Sequence, residues 1–240
     1  MVDGGAVRAV LFDLDGTLVD TAPDLIHTLN EMRRRRGLAN MDHAPLRAQA
    51  SHGTQGLLRL GFGIGHDHPE FQDLRAEFLD IYIEHLTARS DLFPGMEEVL
   101  DGLEARGISW AVVTNKPAFL TEPLLRGLGL LERAASVVSG DTCAHPKPHP
   151  EPVLHACRRM GASPGRCLYV GDAARDVEAA TAAGMPTLVA LYGYLGGDDH
   201  PETWGAAGFI QSPLGLMDWL DGSPDKLFAG GLNQLPVASI

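Results

Sequence analysis

Hydrophobic positions change their spacing along the chain. A short apolar run over residues 7–12 predicts a buried strand. The segment after it has apolar residues three or four positions apart, which is the spacing of one helix face. Helices are predicted there over residues 23–36, 45–60 and 69–86. No strand pattern is found between about residues 17 and 93, so an all-helical insertion is predicted.

Beyond residue 93, short apolar runs alternate with segments of helical periodicity. Strands are predicted over residues 108–113, 136–139, 167–170, 187–191 and 208–211. Helices are predicted over residues 96–106, 118–127, 150–160, 174–183 and 214–220. Regular alternation of strand and helix predicts a parallel sheet with helices on both faces. The predicted fold class is therefore α/β, with a Rossmann-like sheet.

This pattern divides the chain into three parts. Residues 1–16 and 94–221 are predicted to form the α/β core, and residues 17–93 the helical insertion. Residues 222–240 contain glycine and proline and lack periodicity, which is typical of a loose tail.

Composition narrows the class of protein. A chain of 240 residues suits one domain, or one core domain with an insertion, and its 45% hydrophobic content can fill a sizeable core. The formal net charge of −12 argues against binding to nucleic acid or to an anionic membrane. The three cysteines have no metal-ligand spacing and are expected to be reduced thiols. With no signal peptide or membrane-spanning run, a cytoplasmic monomer or homodimer is expected.

Two carboxylates follow the first predicted strand, in the sequence D-L-D-G-T of residues 13–17. Crowded carboxylates away from bulk water raise the free energy of ionising each other, and a divalent cation removes that cost. Asp13 and Asp15 therefore suggest a site for a hard metal ion in which one carboxylate is free to react. Asp-Gly and Thr are also ordinary turn residues, so this segment alone does not decide.

Further polar residues follow other predicted strands. Thr114 and Asn115 come after the strand at 108–113, and Asp172 comes after the strand at 167–170. Asp176 lies one helical turn after Asp172, and Lys147 lies in a Pro-Lys-Pro loop. Because ligand sites in open parallel sheets form outside the carboxyl ends of strands, these residues can share one pocket if the first strand is central.

Each residue type has a physical role in such a pocket. Asp13 and Asp172 offer oxygen ligands to a small hard cation such as Mg²⁺. Thr114 and the next backbone amide are donors to the oxygens of an anion, and Lys147 supplies a compact positive charge. Together they fit phosphoryl transfer, which depends mainly on positioning and charge neutralisation. Singly, each has a common structural explanation: a helix cap at Thr114, a solvated loop lysine, or a first-turn helix acid at Asp176.

These four segments, in this order, resemble the motifs of the haloacid dehalogenase-like hydrolase superfamily. The resemblance covers about residues 7–220, and the insertion is similar to the small helical cap of that family. The sequences T-N-K-P at 114–117 and Y-G-Y at 192–194 resemble two subgroups, the phosphoglycolate phosphatases and the N-acetylmuramic acid 6-phosphate phosphatases. Ala173 departs from the family, which often has Ser or Asp there.

The resemblance implies a two-step reaction on a small phosphorylated metabolite. Asp13 would be the nucleophile that forms an aspartyl-phosphate, and Asp15 the general acid and then the general base. The backbone carbonyl of Asp15 would face Mg²⁺, Asp172 would complete the protein ligands, and Asp176 would hold metal-bound waters or Lys147. The cap would close over the pocket and exclude water.

The resemblance also places the substrate specificity loop at the turn that contains His52 and Gly53. Their polar groups could meet the leaving group, although a plain helix-cap turn is an equally good interpretation. The implied substrate is 2-phosphoglycolate first and N-acetylmuramic acid 6-phosphate or another sugar phosphate second.

Other classes of protein use some of the same residues. A receiver-type signalling domain phosphorylates an aspartate beside acids, a threonine and a lysine, but it needs neither a second acid like Asp15 nor a cap. A dehalogenase needs neither Asp15 nor Mg²⁺. A phosphomutase shares every motif and differs only in its cap, so it stays open as an alternative.

Overall fold

The computed structural model describes residues 7–222. The predicted tail therefore lies outside the described residues, except for Gly222. The strands are β1 (Ala9–Phe12), β2 (Val19–Asp20), β3 (Asp91–Leu92), β4 (Ser109–Val113), β5 (Ser136–Val138), β6 (Cys167–Gly171), β7 (Thr187–Ala190) and β8 (Gly208–Ile210). The helices are α1 (Ala22–Arg35), α2 (His43–Ala50), α3 (Gly53–Phe62), α4 (Phe71–Glu84), α5 (Met96–Ala105), α6 (Ala118–Gly127), α7 (Glu151–Met160), α8 (Ala174–Ala182) and α9 (Gly215–Leu220). Short 3₁₀ helices occupy Pro164–Arg166 and Pro201–Thr203.

One six-stranded sheet has the order β5-β4-β1-β6-β7-β8, and all its neighbouring strands are parallel. The predicted α/β fold class with an inserted helical cap is confirmed. Strand β1 lies at the centre, between β4 and β6. All four of its residues are buried, which explains why its sequence is a continuous apolar run rather than an alternating one.

Side chains of β1 pack into different layers on the two faces of the sheet. Val10 and Phe12 join the large cluster that includes the cap and α5, whereas Ala9 and Leu11 join the cluster beneath α7 and α8. This alternation is the two-residue period of a strand. No helix within residues 7–222 is long and apolar enough to cross a membrane.

The cap consists of α1 to α4, and one of its predicted helices is wrong. Residues 45–60 form two helices, α2 and α3, separated at Ser51 and His52. Gly53 is the first residue of α3 and has φ +59°, a left-handed conformation that the interior of an α-helix does not contain. Gly53 therefore starts a new helix axis, and the loop at residues 51–53 is turned toward the core.

The insertion is also not entirely helical. Strands β2 and β3 pair antiparallel, with Val19 opposite Leu92 and Asp20 opposite Asp91. A two-residue strand is too short to show alternation in a sequence, so the pattern could not indicate it. The β2–β3 pairing joins the two chain segments that connect the core with the cap. The exact limits of the core and of the cap stay a prediction.

Candidate active site

The carboxyl ends of three neighbouring strands bring the predicted site residues together. Asp13 follows β1, Thr114 follows β4 and Asp172 follows β6. Because β1 lies between β4 and β6, these three residues converge at the point where the strand order changes direction. Lys147 and Asp176 reach the same place from the loop before α7 and from the first turn of α8.

Asp13 is nearly inaccessible, with 4% of its surface exposed. Its Oδ1 accepts hydrogen bonds from the Leu14 backbone amide at 2.7 Å and from Lys147 Nζ, which lies 2.8 Å away. Burial and the nearby Asp176 carboxylate raise the pKa of Asp13 to about 6, against the opposing effect of Lys147. The second carboxylate oxygen has no hydrogen bond to any residue in the described range, so one oxygen is fixed and the other is uncommitted.

Lys147 neutralises two buried acids at once. Its Nζ lies 2.8 Å from Asp13 Oδ1 and 2.7 Å from Asp176 Oδ1, and it also donates to the Val113 carbonyl at 2.7 Å and the Tyr169 hydroxyl at 2.9 Å. Burial alone would lower the pKa of Lys147, but the two carboxylates outweigh it and the pKa is raised. The ammonium group is therefore charged and held in one place.

Asn115 fastens the loop that carries Lys147. Its side-chain Nδ2 donates to the Lys147 carbonyl at 2.8 Å, and its Oδ1 accepts from the Lys147 amide at 2.9 Å. This pair uses Oδ1 and one of the two Nδ2 hydrogens, so the second Nδ2 hydrogen and the backbone amide are left for other partners. The predicted role of Asn115 in substrate binding stays a prediction.

Asp13, Asp172 and Asp176 form a buried triad in which one carboxylate oxygen of each residue lies within 4.8 Å of the other two. Asp172 Oδ2 accepts from the Tyr194 amide at 2.8 Å, while its buried Oδ1 has no hydrogen-bond partner within residues 7–222. Burial, together with Asp13 and Asp176, raises the pKa of Asp172 well above its usual range. Because Asp172 Oδ1 is buried without a hydrogen-bond donor and lies among three acids, it fits as a ligand of a hard cation such as Mg²⁺.

Two glycines shape the space around Asp172. A Cβ on Gly16 would collide with Asp172 Oδ2, and a Cβ on Gly193 would collide with Asp172 Cβ. Gly16 also has φ +87°, which other residues rarely adopt. The glycine in the first motif and the one in the Y-G-Y segment therefore let the backbone approach the acid closely.

Asp15 stands apart from the triad. Its Oδ1 accepts from the Thr21 hydroxyl at 2.6 Å and from Lys116 Nζ at 2.9 Å. Lys116 also donates to the Tyr82 hydroxyl of cap helix α4 at 3.0 Å. The Asp15 carboxylate thus faces the cap side of the pocket, and its predicted contact with a metal through the backbone carbonyl stays a prediction.

Thr114 is 3% exposed and lines the cavity in front of Asp13. Its Oγ1 accepts from the Lys116 backbone amide at 3.1 Å. A hydroxyl that accepts through one lone pair still has its own hydrogen to donate. This arrangement leaves Thr114 able to donate to an anion.

His52 and Gly53 line the same cavity from the cap. The preceding Ser51 is fixed to the core because Arg175 Nη2 donates to its carbonyl at 2.6 Å and to its hydroxyl at 3.0 Å. Arg175, in the first turns of α8, therefore connects the predicted specificity loop to the region of the acidic triad.

The Y-G-Y segment lies at the junction of cap and core. Tyr194 accepts from the Ala22 amide at 2.8 Å and donates to Asp20 Oδ1 at 2.9 Å, and Tyr192 donates to the Thr17 carbonyl at 3.2 Å. These bonds order the chain where it enters the cap. The sequence alone shows this segment only as a likeness to two subgroups of phosphatases and indicates no role for either tyrosine.

One cavity of about 960 Å³ lies between the cap and the carboxyl ends of the strands. Asp13, Asp15 and Thr114 line it from the core, together with Lys116 and Arg175. Neither cation was predicted as a site residue. Their positions next to predicted site residues could have indicated them. Lys116 follows Thr114 by two residues, and Arg175 directly precedes Asp176.

Comparison with known proteins agrees with this geometry. The model of the haloacid dehalogenase-like hydrolase family matches residues 10–190. The N-acetylmuramic acid 6-phosphate phosphatase of Pseudomonas aeruginosa is 42% identical over 215 residues, covering 90% of this chain and 95% of that protein. The phosphoglycolate phosphatase of Xanthomonas campestris pv. campestris is 45% identical over 212 residues, covering 88% and 95%. A crystal structure described as a predicted phosphoglycolate phosphatase from Haemophilus somnus superimposes with a TM-score of 0.78 at 27% identity, covering 90% of this chain and 99% of that one.

The chain belongs to the haloacid dehalogenase-like hydrolase family. Its curated relatives are phosphatases, which confirms the prediction of an enzyme of the phosphoric monoester hydrolase type. Since the relatives carry two different substrate names, likeness alone does not choose between the substrates.

Proposed function

We propose that this protein is a Mg²⁺-dependent phosphatase that hydrolyses a small phosphomonoester through an aspartyl-phosphate on Asp13. The observation that carries the proposal is the pairing of Asp13 with Lys147 beside Asp172 and Asp176, with Asp15 as a separate carboxylate facing the leaving-group side. The test is turnover of p-nitrophenyl phosphate, which a phospho-accepting signalling domain would not hydrolyse repeatedly.

In the first step, the uncommitted oxygen of Asp13 attacks phosphorus, and the bond from phosphorus to the ester oxygen breaks. Lys147 holds the other oxygen of Asp13 and keeps the nucleophile oriented. Thr114 and the backbone amide of Asn115 donate to the phosphoryl oxygens as charge develops on them. Asp15, protonated at this stage, gives its proton to the leaving oxygen.

In the second step, water attacks phosphorus of the aspartyl-phosphate. Asp15, now ionised, takes a proton from that water, and the bond between phosphorus and Asp13 breaks to release phosphate. Lys116 and Thr21 hold the Asp15 carboxylate in place in both steps. Both aspartates therefore return to their starting protonation states.

Asp13 and Asp172 would hold Mg²⁺, with Asp176 supporting it through water or through Lys147. When bound, the ion neutralises the phosphoryl oxygens and the clustered carboxylates.

Removal of divalent cations is expected to abolish turnover, and Ca²⁺ is expected to inhibit. Mg²⁺ keeps a tight octahedral geometry, whereas larger Ca²⁺ accepts more ligands and could take both oxygens of Asp13, which would block its attack. Steady-state rates with EDTA, Mg²⁺ and Ca²⁺ measure this. Equal rates in the three conditions would refute the metal requirement.

Replacing Asp15 by asparagine is expected to slow both chemical steps by about 10²- to 10⁴-fold, the usual contribution of a general acid or base. The first step should suffer less with p-nitrophenyl phosphate than with an alkyl phosphate, because nitrophenolate leaves without a proton. Rapid-quench kinetics would measure each step. A variant whose only defect is weaker Mg²⁺ affinity would show that Asp15 is not the acid and base.

Two substrates are candidates. The sequence favours 2-phosphoglycolate, the substrate in the name of the Xanthomonas campestris relative. The cavity supports N-acetylmuramic acid 6-phosphate as the second candidate, because about 960 Å³ is the size of pockets that enclose much larger ligands than a two-carbon acid. A phosphomutase would be recognised by a phosphorylated product in place of free phosphate. The cytoplasmic location and the oligomeric state stay predictions.

A further inference from the structure

The cap lines the cavity without any acidic side chain among the described residues. Asp13 and Asp15, both from the core, are the acids that line it. The cap contributes Arg59 and Arg75, along with His52, glutamines and apolar residues. In a chain of net charge −12, a wall of this kind favours a ligand that carries negative charge away from the reacting phosphate.

Arg59 and Arg75 differ from the other arginines of the cap in their side chains. Neither guanidinium group has a hydrogen bond or ion pair within residues 7–222, and both residues are solvent-exposed. The other arginines of the cap are all engaged by a carboxylate or a backbone carbonyl, namely Arg33, Arg34, Arg35, Arg36, Arg47 and Arg89. The two unpaired guanidinium groups are therefore the two that line the cavity.

The spacing on helix α4 sets how far Arg75 lies from the reaction. Arg75, Leu79 and Tyr82 line the cavity and recur three or four positions apart, on one helix face. Tyr82 contacts Lys116, which contacts Asp15, so in the proposed reaction this end of the helix is the end near the leaving-group oxygen. Arg75 and Tyr82 are seven positions apart on the helix, a rise of about 10 Å along the axis.

We infer that Arg59 and Arg75 bind a carboxylate of the leaving group, at a distance from the ester oxygen. Arginine has the planar set of donors that matches a carboxylate. A single carbon separates the two groups in 2-phosphoglycolate. In N-acetylmuramic acid 6-phosphate, a sugar ring and an ether separate them. The inference rests on the proposed function and favours a phosphorylated sugar acid of the second kind.

A matched pair of substrates isolates the carboxylate. N-acetylmuramic acid 6-phosphate and N-acetylglucosamine 6-phosphate differ only in the lactyl ether that carries it. The wild-type enzyme is expected to prefer the first by at least about tenfold in kcat/KM, and Arg59→Gln or Arg75→Gln to reduce that preference about tenfold or more. The loss should lie mainly in KM, and Arg75→Lys should retain part of the preference because it keeps the charge.

Arg34→Gln is the control, since Arg34 is an exposed cap arginine paired with Glu31 outside the cavity and should leave the preference unchanged. Equal kcat/KM for the two sugars, an unchanged preference in both cavity variants, or better turnover of a sugar bisphosphate would each overturn the inference. If p-nitrophenyl phosphate, 2-phosphoglycolate and both sugars are all inert with Mg²⁺, the proposed function itself fails. If p-nitrophenyl phosphate or 2-phosphoglycolate is turned over while both sugars are inert, only the inference fails.

Discussion

Replacing Asp13 by asparagine is expected to lower kcat by about 10⁴-fold or more, the scale of loss when an enzyme's nucleophile is removed. Asparagine fills the same space and can still accept from Leu14 and Lys147, so the fold should remain. Phosphate release from p-nitrophenyl phosphate in excess Mg²⁺ measures the effect, with circular dichroism to verify folding.

The same change at an exposed position provides the control. Asp73 lies on the surface of α4 and does not line the cavity, so Asp73→Asn should retain wild-type kcat. An Asp13→Asn protein that is folded, binds Mg²⁺ and keeps even one tenth of the wild-type kcat would be incompatible with covalent catalysis by this residue.

Replacing Lys147 by methionine is expected to damage both stability and activity. Lys147 is 2% exposed and neutralises Asp13 and Asp176, so its loss leaves two buried carboxylates without their cation. Breaking a buried ion pair typically costs about 3–5 kcal/mol of unfolding free energy. Urea unfolding in EDTA should show this loss, and added Mg²⁺ should restore part of it by neutralising the same acids. The kcat should fall at least about 10²-fold, because the nucleophile loses its fixed position.

Arg126→Met is the matched control for this substitution. Arg126 is an exposed cation on α6 outside the cavity, so its replacement should change the unfolding free energy by no more than about 0.5 kcal/mol. If Lys147→Met unfolds at the same urea concentration as the wild-type protein in EDTA, the buried charge cluster does not have the role assigned to it.

Elements with a long periodic pattern were predictable from the sequence. Helix α6 begins at Ala118 and ends at Gly127, as predicted. The central position of β1 was a condition of the predicted site rather than a prediction, and the strand order meets that condition. The helix predicted over residues 45–60 failed because the left-handed backbone of Gly53 overrides an unbroken apolar spacing. Strands β2 and β3 are held by their mutual pairing, which no local pattern encodes.

Site residues could be predicted where their position in the sequence indicates their role. They could not be predicted where the role depends on a partner far away in the sequence. Asp13 and Asp172 could be recognised because each follows an apolar run. Lys116 was missed because its acid partner, Asp15, lies 101 positions away, and Arg175 was missed because Ser51 lies 124 positions away. The first pair forms only when β1 and β4 lie side by side in the core, and the second only when the cap has folded onto the core.

Chemical trapping of the covalent intermediate tests the central claim most directly. The enzyme would be mixed with substrate and Mg²⁺, quenched in acid during turnover, reduced with borohydride and digested for mass spectrometry. Borohydride converts an aspartyl-phosphate to homoserine, so the account predicts homoserine at position 13 and unmodified aspartate at position 15. Homoserine at any other position, or a burst of leaving group with no modified residue at all, would contradict it.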